Sequence, residues 1–204
     1  NFLAAFGIVF GATTLVQQDV EANAVTVANT LTATASDANG DTTANDTITS
    51  SDTFTLSGAN GSFNASNTEI VIASLTSATA NSASDVAGAG GLKVTGNLVG
   101  TKDLIITVDS ASKFEFGGNA TDDGTEKIEF ILEGSTLTIS GASAQNIDAE
   151  VDSDSGNDGV LALTGGGAKT FDAIIGGSSE LATMTDIASG VATFNAAVDV
   201  KAIT

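Results

Sequence analysis

From Val25 to Ala35 (VTVANTLTATA) apolar and polar residues alternate. Val25, Val27, Leu31 and Ala33 fall on one side, and Thr26, Thr30, Thr32 and Thr34 on the other. A period of two is the signature of a half-buried strand. It recurs at Thr53–Ser57, Lys113–Phe116, Lys127–Glu133 and Thr136–Ser140. Continuous apolar runs at Ile70–Ala73 and Leu104–Val108 read as more fully buried strands. Clusters such as Ala38-Asn39-Gly40-Asp41, Gly58-Ala59-Asn60-Gly61 and Gly117-Gly118-Asn119 separate these runs. Their residues suit turns, because Gly takes positive φ without strain and Asn and Asp close local hydrogen bonds. Short strands at regular intervals predict an all-β chain, a β-solenoid or a jelly-roll-like β-sandwich.

Internal similarity bears on that choice. Thr53–Ala59 (TFTLSGA) matches Thr136–Ala142 (TLTISGA). Phe63-Asn64-Ala65, Phe171-Asp172-Ala173 and Phe194-Asn195-Ala196 share a second pattern, its last two copies 23 residues apart. Ile139 and Leu163 are 24 apart. A repeat in the twenties is the length of one solenoid coil, although Thr-, Gly- and Ala-rich strands also resemble one another by composition. Only Ser178–Ser189 reads as a helix, with Leu181, Met184 and Ile187 on one side. Low-complexity Thr76–Gly91 reads as a long loop or a hinge within a β-rich domain spanning 25–204.

Ahead of that domain, residues 1–24 form a distinct segment. Phe2–Val16 is uncharged and largely apolar, and Ala22-Asn23-Ala24 follows in the manner of a secretory cleavage site. Three uses are open. As a strand, the segment adds to a neighbour's sheet edge or packs within its own domain. As a short helix, Gly7 and Gly11 allow close packing, but 15 residues span about 22 Å, short of the roughly 20 residues a bilayer requires. As a signal peptide, it is removed. In the first two, the assembly residues are Phe2, Leu3, Phe6, Ile8, Val9, Phe10, Leu15 and Val16.

Composition narrows the chemistry. The 204 residues hold 25 acidic and 6 basic side chains, a net charge of −19, and no His, Cys, Arg, Pro, Trp or Tyr. Without His or Cys there is no Ser–His or Cys–His nucleophile and none of the usual zinc, iron or copper ligands. A polyanion without Arg suits neither nucleic acid nor an anionic membrane. The 42% hydrophobic content argues against disorder. No catalytic motif is found, and a non-enzymatic role is expected.

Calcium is the ligand that the acidic turns suit best. Asp37, Asn39 and Asp41 place oxygen donors at alternate positions, though Ile48 stands where an EF-hand needs Glu. Asp152, Asp154 and Asp158 form a second acidic turn. Acidic turns also serve solubility alone, so no cofactor is required. Four N-x-S/T sequons, at Asn45, Asn60, Asn64 and Asn119, could accept glycans.

Gly165–Thr204 (GGGAKTFDAIIGGSSELATMTDIASGVATFNAAVDVKAIT) resembles the repetitive passenger regions of bacterial autotransporters and filamentous-haemagglutinin-type adhesins. The composition as a whole is similar to that of bacterial surface-layer proteins. The resemblance implies a secreted, β-rich protein of the cell surface and carries over no catalytic residue. The expectation is therefore a structural subunit of an extracellular filament (pilus-like) or surface layer, polymerising through its apolar N-terminal segment. The alternative is an adhesin, a β-solenoid stalk that presents loops to a glycan or host surface.

Overall fold

The structure, a computed structural model, describes residues 8–10, 13–16, 25–27, 30–34, 48–56, 62–65, 69–77, 81–122, 124–186 and 190–204. Its first strands come two to a coil: β1 (Ile8–Phe10) and β2 (Thr13–Val16), then β3 (Val25–Val27) and β4 (Thr30–Thr34). Next come β5 (Ile48–Leu56) with β6 (Ser62–Ala65), and β7 (Ile70–Ser77) with β8 (Asn81–Ala87). Three strands per coil follow: β9 (Leu92–Val94), β10 (Leu98–Gly100) and β11 (Leu104–Val108), then β12 (Lys113–Phe116), β13 (Ala120–Asp122) and β14 (Ile128–Leu132). The last strands are β15 (Thr136–Ile139), β16 (Gln145–Ile147), β17 (Glu150–Ser153), β18 (Val160–Leu163), β19 (Lys169–Phe171), β20 (Thr183–Asp186) and β21 (Ala192–Phe194).

Among the described residues every strand pair is parallel, and each strand stacks on the one a coil away. The chain is a β-solenoid, and among the described residues its third face alone stacks seven strands. A sandwich is excluded, because its neighbours would pair antiparallel. The first face runs β5-β7-β9-β12-β15-β18-β20 and the second β1-β3-β5-β7-β10-β13-β16-β19-β21. Strands β5 and β7 are long enough to serve both, which joins these faces into one 14-stranded sheet. The third face is a separate 7-stranded sheet, β2-β4-β6-β8-β11-β14-β17.

Strand alternation sends every second side chain inward, and parallel register stacks like upon like. On the first face Ile70, Leu92, Phe114, Leu137, Leu161 and Met184 form one inner column, in steps of 22 to 24 residues. All six are buried. Leu75, Leu98, Ala120, Ile147, Phe171 and Phe194 form the matching column of the second face. Ile106, Phe130, Val151, Ile175 and Val198 do so on the third. Corner side chains tie coil to coil. The Asn97 carboxamide oxygen accepts from the Asn119 amide, and that of Asn119 from the Asn146 amide, both at 2.9 Å.

Two sequence readings are corrected. The helix expected over Ser178–Ser189 is absent from its described part, where β20 runs instead. Leu181 and Met184 are three apart because each belongs to a different stack: Leu181 bridges to Val200, and Met184 stands between Leu161 and Ile203. Thr76–Gly91, read as a loop or hinge, contains β8, held between β6 and β11. Its weak hydrophobicity concealed it, since only Ser84 and Val86 are seen to bury there. Val25–Ala35, read as one strand, holds two, β3 on the second face and β4 on the third.

The repeats divide in the same way. Phe171 and Phe194 are true coil equivalents, their rings stacked at 4.9 Å and 14°, and Ile139 pairs with Leu163. Phe54 pairs with Val25 on the second face whereas Leu137 lies on the first, so TFTLSGA and TLTISGA are not equivalent.

Candidate functional site

The N-terminal assembly residues fall in two groups. Ile8, Val9 and Phe10 form β1, and Leu15 and Val16 close β2. Both strands pair within their own chain, β1 with β3 and β2 with β4. Phe2, Leu3 and Phe6 lie outside the described residues. At the other end, Val191 and Ile203 are 69% and 66% exposed, and Val198 is also exposed.

The acidic turns are split as well. Asp37, Asn39 and Asp41 lie outside the described residues. Asp152 is buried, and its carboxylate accepts from the Ser178 amide at 3.0 Å. Asp158 accepts from the Ser153 and Ser155 hydroxyls, the latter at 2.9 Å. Asn157, at φ 67°, turns the chain at this corner, and its amide donates to Glu180 O at 2.7 Å. The Ser153 hydrogen bond, helped by Ser155 and Asp154, holds Asp158 below the usual carboxylate range against a burial cost. Asp154 and Asp158 thus come together while Asp152 is engaged elsewhere. Among the described residues no three acidic side chains converge as a cation cage.

What sequence spacing did not reveal is that this corner stacks on two others. Asp109, Glu133 and Asp154 each follow the third-face strand of successive coils, their amides bonded to Val86, Val108 and Leu132 carbonyls one coil back. Parallel strands sit about 4.8 Å apart, so the carboxylates form a like-charged ladder. Burial and then Asp85 push Asp109 up. Burial, then Asp109, Asp154, Asp85 and Asp158, push Glu133 up. Asp148, on another corner, is raised by burial, Asp122 and Asp172. On the first face, burial alone would raise Glu115, but Lys93, Ser140 and Lys113 together hold it low. Its ion pair with Lys93 is 2.8 Å.

These shifts set a pH dependence. A carboxyl raised in the folded state contributes stability below its unfolded pKa and loses it as pH rises through the folded value. A depressed carboxyl contributes above the ordinary range and loses that contribution as pH falls. Stability is expected to rise on acidification from neutrality, as Asp109, Glu133 and Asp148 take up protons. It should then fall once Asp158 and Glu115 protonate. Thermal melts across pH 3–8 check this; Glu133→Gln should raise the neutral melting temperature by a few degrees and flatten the rise. A melting temperature that falls monotonically from pH 7 would contradict it.

Of the sequons, Asn119 is half-buried with its carboxamide oxygen in the corner ladder. Asn64 lies on β6, and Asn45 and Asn60 lie outside the described residues. Sequence reading missed Gln145 and Lys169, both buried. Their one signal is position, two residues before the apolar Ile147 and Phe171. No helix of the described residues is long and apolar enough to cross a membrane. No protein-family model, curated protein or solved structure matches this chain.

Proposed function

We propose that this chain is a structural section of an extracellular surface assembly, a filament (pilus-like) or surface layer, whose work is to hold length and shape. The observation that carries the reading is the continuity of the inner columns. The coils devote their inner side chains to their neighbours above and below, as a rod requires. An acidic exterior suits a solvated surface, with net charge keeping the protein soluble. In the polymerising form of this reading, the apolar N-terminal strands supply the contact with the next subunit. Among the described residues β1 pairs in parallel with β3 and β2 with β4, the edge pairing that β-augmentation between subunits would extend.

A second reading, an adhesin stalk with glycan or calcium at its corners, draws on the six-residue corner 154–159, the widest turn between the third and first faces among the three-stranded coils. Deleting residues 1–18 separates the two. A filament subunit stops assembling, whereas a stalk module keeps its fold and its binding. Negative-stain images of the full chain test the first reading directly: elongated or end-to-end particles are expected, and compact dispersed particles at all concentrations would overturn it.

Modularity gives a further expectation. Leu92 and Phe114 are register partners, so excising residues 92–113 joins Gly91 to Phe114 and leaves every column in phase. The shortened chain should retain its β-sheet circular dichroism and lose about 4.8 Å of length. An unfolded product would mean that the coils are not interchangeable units of a rod.

A further inference from the structure

Two polar side chains occupy inner positions of the second face. Gln145 and Lys169 are register partners, 4% and 2% exposed, and each precedes an inward Ile147 or Phe171 by two residues. The strand period therefore turns them into the same interior as the apolar columns. Gln145 accepts from the Gly141 amide at 3.0 Å and donates its carboxamide NH2 to Gly118 O. Lys169 Nζ donates to Gly141 O at 3.3 Å and to Gly167 O at 3.1 Å. Gly118, Gly141 and Gly167 lie at the corner between the first and second faces in three successive coils. Two buried side chains thus lace three corners together. The space is made by Gly141 itself, since a Cβ there would strike the Gln145 carboxamide.

Such a lace is not needed for cohesion. The Phe171–Phe194 stack and the Leu161–Met184 pair already hold these coils, and a buried polar residue generally contributes less stability than a well-packed apolar one. Burial pulls the Lys169 ammonium below the usual lysine value, with the Asp186 charge opposing it. What apolar columns do not supply is register. On the first face a strand that slides by two residues keeps its inward parity and sets Phe114 or Phe116, Leu137 or Ile139, and Leu161 or Leu163 against one another, so apolar columns resist such a slip weakly. The same slide carries Lys169 Nζ about 6.6 Å along the strand, away from both carbonyls, and leaves a charge buried without acceptors.

We infer that Gln145 and Lys169 are a register lock, which fixes how the coils around β16, β19 and β21 stack and makes one alignment of an otherwise repetitive interior unique. The test uses the full chain with Lys169→Met, Gln145→Leu and the double variant, read by thermal melting and by amide resonances and hydrogen exchange at 145–147, 169–171 and 192–194. Each variant is expected to fold, with a midpoint equal to or above that of the parent. The double variant should show multiple or broadened resonances for these strands and at least tenfold lower protection. Single sharp resonances with parental protection in the double variant would overturn the inference. So would a Lys169→Met chain that fails to fold or melts as low as Phe171→Ala, since the pair would then be cohesive rather than specifying. Lys169→Arg, which keeps the charge and the donors, should retain a single set of resonances.

Discussion

Replacing Phe130 by Ala is expected to destabilise the solenoid by about 3–5 kcal/mol, the cost of truncating a fully buried Phe. Phe130 is fully buried on the third face and meets two rings from the first. Phe114 stands edge-on at 5.0 Å and 62°, and Phe116 lies stacked at 6.0 Å and 6°. The three rings fill the interior of one coil, and Ile106 and Val151 close it on either side in register. Strands in neighbouring coils hold the backbone at a fixed pitch, so the cavity has little room to collapse, which places the cost toward the upper end. Urea unfolding of Phe130→Ala and Phe130→Leu measures it. The leucine variant should recover more than half of the loss. A loss below about 1 kcal/mol for the alanine variant would mean that the interior is not close-packed.

A second large effect is expected at Gly165, and a matched control isolates its cause. Gly156 and Gly165 have nearly the same backbone conformation, φ 75° and 76°. A Cβ at Gly156 meets nothing within 4 Å, whereas one at Gly165 strikes the Ser140 and Gly141 carbonyls of the coil beneath. Gly156→Ala should therefore cost only the left-handed conformation, about 1–2 kcal/mol. Gly165→Ala adds a backbone collision between coils that no side-chain rotation relieves. It should cost at least about 2 kcal/mol more, in the range of overpacked interiors, and lower amide protection in β15 and β18 together. Equal losses for the two variants would show that backbone conformation, not coil-to-coil approach, requires glycine at residue 165.

Much of the architecture was legible before any coordinates. Lys113–Phe116 and Leu104–Val108 coincide with β12 and β11, and Lys127–Glu133 and Thr136–Ser140 bracket β14 and β15 to within a residue at each end. The reason is local: period-two patterning and Gly/Asn turn chemistry belong to a single strand and its own corner. The Phe171 to Phe194 interval gave the coil length because those residues do stack. Where inward positions hold small residues the signal vanished, as at Ser84 in β8, and a corner between Leu181 and Met184 imitated a helical spacing.

The candidate site was legible only in part. Asp154 and Asp158 were seen as one turn, but the ladder with Asp109 and Glu133 was not, because its members lie 21 to 24 residues apart along the chain. They meet only through parallel register. Gln145 and Lys169 contradict the apolar rule for inner positions, and only the folded corner, with carbonyls turned toward them, explains how the interior holds them.

The sequence by itself determined that the chain is β-rich, where strands such as β11 and β12 run, and that it holds no His or Cys, since each follows from residue type or from neighbours two to four positions away. Only the tertiary structure decided between solenoid and sandwich, assigned each strand its partner a coil away, and brought the carboxylates and the polar lace together. A strand shows its own two faces in its sequence, but the identity and register of the strand beside it are properties of the stack.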